Sequence, residues 1–502
     1  MIFEIFVAIL TPPLLYVLFT YLYHLWELRK YPAGPFPLPI IGNLHQLGKK
    51  PYESLAELSK IYGDVFGISF GMTRAVIVNT IEPTREALIT KGVHFAGRPS
   101  NMYTAELVSR GYINIGFADY GAVWRMVRKF GHSSLKMYGE NMKHLIETVS
   151  AENEDFHKRL KALNGKPTEV KYELGLSILN IISGMVFGDR YERDDPEFKQ
   201  LIDFATDVFA GLGNSDAVSF LPWLRYFPLP GLKMLKRAIK IRDALLKKKL
   251  LEHKKSFDGE NVHSITDALL KVTADKKIIK ECGQTFTDDH LEMILNDVFV
   301  GGYETTLTTV RWSVLYLIHW PQYQEKIYEE IIKISGTDRY PDLNDRSSLP
   351  FTHACINETL RLCSLAPLSV PHKAIQDSSI GGKAVPKDAL VLFNIWNIHN
   401  NKKYWKDPET FDPTRWLDEN GEFVVGRHIS YLPFSAGRRV CLGESLAKLE
   451  LFTFYTRMVR NFKIENVPDA PLPTLDGNIG ITLSPKKFKV VFTPRENNLI
   501  QS

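Results

Sequence analysis

The feature that most restricts the fold is a helical stretch running from about Asp288 to Trp320 and closed by Pro321. Thr287 stands before it as an N-cap candidate, and a proline directly after the run cannot continue it. At a rise of about 1.5 Å per residue this is roughly 50 Å of helix, enough to cross a whole globule. Such a rod is largely buried, and the rest of the chain must pack around it. Inside it lies Gly301-Gly302, where each glycine costs about 1 kcal/mol relative to alanine. A helix carrying that cost is expected to have something close against it. Strand-like pieces occur at Val65 to Phe70, Ala75 to Thr80, Leu390 to Ile395 and around Lys487 to Phe492, at the margins of a predominantly helical sequence. The expected class is mainly α with small β-sheets.

The N-terminus breaks the globular pattern. Ile5 to Trp26 is almost wholly apolar or aromatic, long enough to cross a hydrocarbon core of about 30 Å. It has neither a basic leading region nor a small-residue cleavage site, and Arg29 and Lys30 follow at once, which places the C-terminal part in the cytosol. Pro12-Pro13 and Glu4 interrupt the run and leave a buried or interfacial helix as the alternative. The prolines of Tyr31 to Pro39 remove backbone donors and stiffen the next segment. Residues 1–27 therefore read as a single membrane anchor, 28–42 as a proline-rich hinge and 43–502 as one catalytic unit.

With 62 basic and 57 acidic residues the chain of 502 carries a net charge of +5, and 44% of it is hydrophobic. These values exclude a disordered tail protein, a collagen and a multi-span membrane protein. Lys247-Lys248-Lys249 reads as a solvated helix face, and nucleic-acid binding has no support. Cys282, Cys355, Cys363 and Cys441 form no CxxC pair and no disulfide framework.

The sharpest local signal is Phe434-Ser435-Ala436-Gly437-Arg438-Arg439-Val440-Cys441-Leu442-Gly443. Taken alone, Cys441 reads as a small buried hydrophobe. A thiolate that ligates iron, however, needs backbone N–H groups aimed at sulfur, and a glycine-bearing loop entering a helix supplies them. The decapeptide resembles the cysteine loop, FxxGxRxCxG, of the cytochrome P-450 family of haem-thiolate monooxygenases. Glu358-Thr359-Leu360-Arg361 matches the family's ExxR element, which by itself arises by composition about once in such a chain. Phe411-Asp412-Pro413-Thr414-Arg415-Trp416 is similar to its FxPxRF segment, and Trp124 to Arg128 to its WxxxR helix.

The resemblance spans residues 30 to 495 and implies the cytochrome P-450 fold behind one transmembrane helix. It also implies haem b, iron protoporphyrin IX with the Cys441 thiolate as axial and metal ligand and Phe434 packed on the ligand loop. Glu358, Arg361 and Arg415 would form a buried supporting network. Propionate contacts would come from Arg98, Trp124, Arg128, His372 and Arg439, each of which read singly is a surface or capping residue.

Gly301-Gly302-Tyr303-Glu304-Thr305-Thr306 is similar to the family's distal motif, (A/G)Gx(D/E)T. Reductive cleavage of dioxygen consumes protons, and Thr305 with Glu304 would supply them beside a gap in the helix. Without the cysteine loop the same stretch reads as a packing notch. The implied reaction inserts one oxygen atom from O2 into a C–H bond of a hydrophobic molecule. No GxGxxG nucleotide loop in a strand–helix context is evident, so electrons would come from NADPH-cytochrome reductase, with cytochrome b5 as a further partner. Arg128, Lys129, Arg438 and Lys448 would face the reductase; the plain alternative is ordinary solubilising charge.

The anchor, and the lack of an Arg- and Ser-rich transit segment, suit the microsomal branch and hence the endoplasmic reticulum membrane. Ile115 to Asp119, Leu221 to Leu224, Asp377 to Gly381 and Ile429 to Phe434 resemble the animal steroid 17-alpha-hydroxylase/17,20-lyase branch. A steroid is the substrate this implies. A xenobiotic or aryl-hydrocarbon oxidase shares the outline, and a haem-thiolate isomerase is a third reading that the Glu304-Thr305 pair opposes. By position in the resemblance, Phe117, Ala205, Arg242, Gly301, Leu365, Val370 and Ile481 form the substrate wall. Ala205 stands in place of an anchoring asparagine. Of the basic residues tied to cytochrome b5 and lyase activity only Arg346 remains, with Ser348 and Asn357 replacing the others. Ser435 replaces a glycine of the cysteine loop.

Overall fold

The computed structural model describes residues 2–139, 142–213, 216–274 and 285–495; Cys282 lies outside them. The helices run in chain order α1 (Ile2–Leu28), α2 (Pro51–Tyr62), α3 (Ile81–Arg85), α4 (Tyr103–Val108), α5 (Ala122–Gly139), α6 (Met142–Ala162), α7 (Val170–Phe187) and α8 (Pro196–Gly213). They continue as α9 (Asp216–Phe220), α10 (Pro230–Ser256), α11 (Ile265–Ala274), α12 (Asp288–His319), α13 (Pro321–Ser335), α14 (Pro350–Cys363), α15 (Ile395–Asn400) and α16 (Glu444–Asn461).

The long helix α12 is the axis of the fold. The His290 ring nitrogen accepts the Thr287 N–H at 3.2 Å and closes its first turn, and Pro321 opens α13 directly after it. It packs against α5, α7, α8, α10, α11, α13, α14 and α16, and nearly every residue from Thr306 to Ile318 is buried. The two central glycines differ in what they meet. A Cβ on Gly302 would stand 2.7 Å from Ile182 of α7, whereas one on Gly301 would meet nothing within 4 Å. Gly302 is thus a packing notch, and Gly301 opens on interior space.

Strands β1 (Val65–Phe70), β2 (Thr73–Val78), β6 (Leu390–Phe393) and β3 (His372–Lys373) form one sheet in the order β1-β2-β6-β3, with β2 and β6 parallel and the other pairs antiparallel. Two-stranded sheets form between β4 (Ser378–Ile380) and β5 (Lys383–Val385), between β7 (Phe462–Asn466) and β10 (Val490–Pro494), and between β8 (Gly477–Ile479) and β9 (Leu483–Pro485). β7 and β9 pack against α12, and β1 and β6 are buried along their whole length.

Two helices are apolar for different reasons. α7 is long and apolar enough to cross a membrane, yet 83% of it is buried in protein. On α1 the side chains of Leu14, Leu15, Tyr16, Leu18, Phe19, Leu22, Tyr23 and Trp26 are all exposed. Its end is fastened to the body: Tyr21 Oη donates to Pro37 O at 2.7 Å, and His24 Nε2 lies 2.8 Å from Ser69 Oγ. Gly34 lies so close to the Gly67 backbone that any Cβ there would collide with it, so the proline strap is held against β1.

Candidate active site

The loop before α16 is shaped by backbone. Cys441 N donates to Phe434 O at 3.0 Å, and Gly437 to Arg439 form one 3₁₀ turn. Gly437 has φ 71°, and a Cβ on it would stand 1.8 Å from the Leu88 carbonyl oxygen. Ser435 has φ 61°, a left-handed conformation that glycine adopts without strain. Among the described residues Cys355 and Cys363 are buried, and Cys441 is exposed. Protein around the Cys441 thiol raises its pKa, while the Gly443 N–H and the Arg128 guanidinium favour the thiolate. Phe434 packs against the main core, with Lys448 Nζ 5.5 Å from its ring centre.

Beside this loop, arginines from three parts of the chain converge. Arg439 donates to Ala96 O at 2.8 Å, Ile115 O at 3.3 Å and Ala118 O at 2.7 Å. Arg98 donates to Gly116 O at 3.0 Å and Pro371 O at 2.9 Å, and Arg128 to Val440 O at 2.7 Å. Trp124 Nε1 donates to Ile115 O at 3.2 Å, and its ring lies 4.2 Å under the Arg439 guanidinium. Burial first, then the neighbouring Arg128, lowers Arg98 to about 9. Burial and then Arg98 lower Arg439 to about 8. The carboxylate that offsets them, Asp119, accepts the Arg98 N–H at 2.9 Å and is also paired to Lys373. Buried cations without matching anions are costly. A group that brings two carboxylates would repair the deficit, as haem does with its propionates. His372, buried, has Nδ1 2.7 Å from Phe95 O, a bond that fixes the tautomer and leaves Nε2 for a carboxylate that shares a proton with it. No cluster of three or more His, Cys, Asp or Glu residues suited to a bare metal ion occurs among the described residues. A single thiol plus a cationic rim fits haem.

Thr305 Oγ1 donates back to Gly301 O at 2.5 Å, across the stretch where α12 opens on interior space. Glu304 Oε1 accepts from Thr308 Oγ1 at 3.1 Å, and its Oε2 is buried without a partner. Burial raises the Glu304 pKa, and Lys171 and Arg311 restrain that rise. Thr306, the next residue, donates to the buried Glu450 of α16 at 2.9 Å.

The ExxR residues join the FxPxRF segment. Arg361 meets Glu358 through two bonds of 2.8 and 2.7 Å, and Arg415 Nε adds a third at 3.0 Å. Trp416 Nε1 and Asp412 N complete the carboxylate at 3.0 and 3.1 Å. Both guanidiniums here meet the same carboxylate.

Of the residues assigned to the substrate wall, Gly301 is exposed, and Phe117, Leu365, Val370 and Ile481 are half-buried. Leu365 O accepts from Leu483 N at 2.8 Å, which brings the segment after α14 beside the loop carrying Ile481. Ala205 and Arg242 are fully buried. Arg242 bonds to Val108 O and, at 2.9 Å, to Asp243; its Nη2 keeps only an ion-pair contact with Asp243 at 2.9 Å. Sequence reasoning missed Asp119, Trp416, Glu450 and Asp297. An acid on an otherwise apolar face of α12 was the available signal for Asp297.

A thiolate loop facing a glycine-gapped helix, rimmed by unmatched arginines, is the architecture of a haem-thiolate oxygenase. The Cytochrome P450 family model matches residues 32–492. This chain belongs to that family and is a monooxygenase whose haem iron takes a cysteine thiolate ligand. It is 40% identical over 472 residues to a steroid 17-alpha-hydroxylase/17,20 lyase of Gallus gallus, covering 93% of this chain and 92% of the relative. It is 39% identical over 474 residues to that of Rana dybowskii, with coverages of 93% and 91%. It is 34% identical over 514 residues to Cytochrome P450 1A1 of Opsanus tau, with coverages of 99% and 97%.

Proposed function

We propose that this protein hydroxylates a steroid at a C–H bond, in the manner of steroid 17-alpha-hydroxylases. The observation that carries this reading is the 40% identity held over 93% of the chain to such an enzyme. Haem, when bound to Cys441, supplies the activation of dioxygen with electrons from NADPH-cytochrome reductase. The chain's own contribution is positional. Thr305 holds its hydroxyl against the Gly301 carbonyl, where a proton donor is wanted, and burial keeps the Glu304 proton in place to higher pH than usual. Gly301 leaves room above, and Phe117, Leu365, Val370 and Ile481, all half-buried, would wall it. Arg242 is enclosed, with its Nη2 2.9 Å from Asp243, and has no part in this wall.

Carbon–carbon lyase activity is not part of this reading. Arg346 is engaged with His353 at 2.8 Å, and Asn357 is buried against Tyr431, so the surface that would attract cytochrome b5 is depleted of cations. Reductase would dock where Arg438 and Lys129 are exposed; Arg128 instead turns inward to Val440 O. Added salt should then slow reduction. α1 would hold the enzyme in the endoplasmic reticulum membrane with its body in the cytosol. The exposed Phe36, Leu38 and Ile40 beside the end of α1 suit the lipid side.

The 34% identity to Cytochrome P450 1A1, together with the loss of an anchoring asparagine at Ala205, favours a flat aryl hydrocarbon as the second reading. A spin-state titration of the holoenzyme with progesterone, pregnenolone and a panel of aryl hydrocarbons separates the two. Tight saturable shifts with the steroids alone support steroid hydroxylation, and shifts confined to the aryl compounds overturn it.

A further inference from the structure

Asp297 lies on α12 one turn before Gly301, deep enough in the protein that burial raises its pKa in spite of the donors around it. Its Oδ2 accepts the backbone N–H groups of Ile115 at 2.7 Å and Gly116 at 2.9 Å. Its Oδ1 accepts Asn114 Nδ2 at 2.9 Å and Asn296 Nδ2 at 3.1 Å. Those four bonds fill the acceptor capacity of a carboxylate. A substrate hydroxyl could bind Asp297 only by displacing one of these donors, and three of the four belong to the loop.

The carbonyls of the same two residues face the other way. Ile115 O accepts from Trp124 and Arg439, and Gly116 O accepts from Arg98 at 3.0 Å. Asn114 Oδ1 also accepts the Phe117 N–H at 2.9 Å, so Phe117, assigned above to the substrate wall, hangs on the same clasp. The peptide that joins Ile115 to Gly116 has its N–H on an anion and its C=O on Trp124 and a cation, and is polarised in one sense, which strengthens both sets of bonds.

Resting on the haem-thiolate reading of the site, we propose that Asp297 is a positioning residue that clasps the 114–117 loop to α12, and thereby sets both the place of Phe117 over the substrate and the aim of Arg98 and Arg439 at the haem propionates. Its role is distinct from substrate binding, because three of its acceptor positions are spent on the loop and the fourth on Asn296.

The test compares holoenzyme with the Asp297→Asn variant by amide hydrogen exchange, haem transfer to an apo-haem acceptor, and spin-state titration with progesterone. Replacing one carboxylate oxygen by an NH2 group turns it from acceptor to donor, so exchange of the 114–118 peptide should rise about ten-fold while peptides from the C-terminal half of α12 stay as they are. Haem release should accelerate, and the progesterone midpoint should weaken, each by about ten-fold. Asp297→Glu, which keeps the charge, should recover part of the loop protection. Weaker progesterone binding with unchanged loop exchange and unchanged haem release overturns the proposal in favour of direct substrate contact. If Asp297→Asn does not fold, Asn114→Ala removes one clasp bond from the loop side together with the acceptor of the Phe117 N–H. Faster exchange of the Ile115 and Gly116 amides, which bond to Asp297 itself, then supports the clasp, and unchanged exchange of those two overturns it. Unsubstituted enzyme with no thiolate carbonyl band marks failure of the haem-thiolate reading itself.

Discussion

Gly437 is where the cysteine loop has least freedom, and Gly437→Ala measures how little. An ideal Cβ there stands 1.8 Å from the Leu88 carbonyl oxygen and 2.9 Å from its carbon. Non-bonded heavy atoms settle at about 3.5 Å, so the oxygen must retreat by roughly 3.5 − 1.8 = 1.7 Å. The obstructing atoms are backbone, and no rotamer change relieves the clash. Overpacking of this kind costs about 1–3 kcal/mol, and the left-handed φ of 71° adds about 1–2 kcal/mol for an L-residue. The sum, about 2–5 kcal/mol, falls on the segment four residues before Cys441. The loop can escape only by swinging away from Leu88, which takes the ligand with it. The variant should keep its far-UV circular dichroism but retain less than about a tenth of its haem, and its carbon monoxide difference spectrum should lose the red-shifted thiolate band. Gly443→Ala is the control, because its φ of −94° suits alanine and no atom lies within 4 Å of its Cβ. A Gly437→Ala enzyme with full haem content and an unaltered band would refute the idea that this backbone contact sets the ligand loop.

Ser435 offers the reverse experiment, since a serine occupies φ 61° where glycine is at ease. Ser435→Gly relieves about 1–2 kcal/mol of strain and forfeits about 0.5–1 kcal/mol of chain entropy, so urea unfolding should show a net gain of up to about 1.5 kcal/mol, and a loss would contradict the strain. Glu450 is pushed up to about 8 by burial, against about 4.3 for an unfolded glutamate. Between those values the native state binds a proton that the unfolded chain has released, so this contribution to stability is full below about pH 4.3, declines as pH rises and is lost above about pH 8. Glu450→Gln should flatten that decline by an amount on the order of a few kcal/mol in urea melts across the window, and parallel curves for the two proteins would remove Glu450 as its source.

The parts of the fold legible from sequence were those fixed by backbone chemistry. Thr287 and Pro321 bounded α12 because a cap and a missing N–H act within a few residues of themselves. β2 begins at Thr73, before the stretch that alternation marks out, because Thr73 and Arg74 pair with Phe70 and Ser69 across the turn at Gly71. Polar residues of a tight hairpin carry no periodic signal. In the site, motif spacing singled out Cys441, Thr305 and the arginines as candidates, but spacing cannot say which way a guanidinium turns. Arg128 is as credible on a docking face as against Val440 O, and Ala205 and Arg242 proved to be enclosed. Asp297 stayed out of sight because its partners are main-chain N–H groups almost two hundred positions away, which no residue identity announces.

The arginines of this protein divide by how their charge is met, and that division separates scaffold from cofactor site. Arg361 and Arg415 share Glu358, itself completed by Trp416 and Asp412, so both guanidiniums touch a carboxylate directly without any ligand. A buried ion-paired set of this kind fixes geometry more than it adds stability. Here it ties α14 to the segment at Phe411–Trp416. Arg98 and Arg439 lean on carbonyl oxygens and a carboxylate shared with Lys373, and burial lowers both, with Arg128 adding to the effect on Arg98 and Arg98 to that on Arg439. Carbonyl dipoles do not cancel a full charge, so this rim is stable to the degree that an anionic group joins it. Loading with haem therefore does for the rim what Glu358 does for the scaffold. The free energy of holding these cations apart from solvent becomes affinity for a dianion, directed to the one face of the molecule where Cys441 is also open.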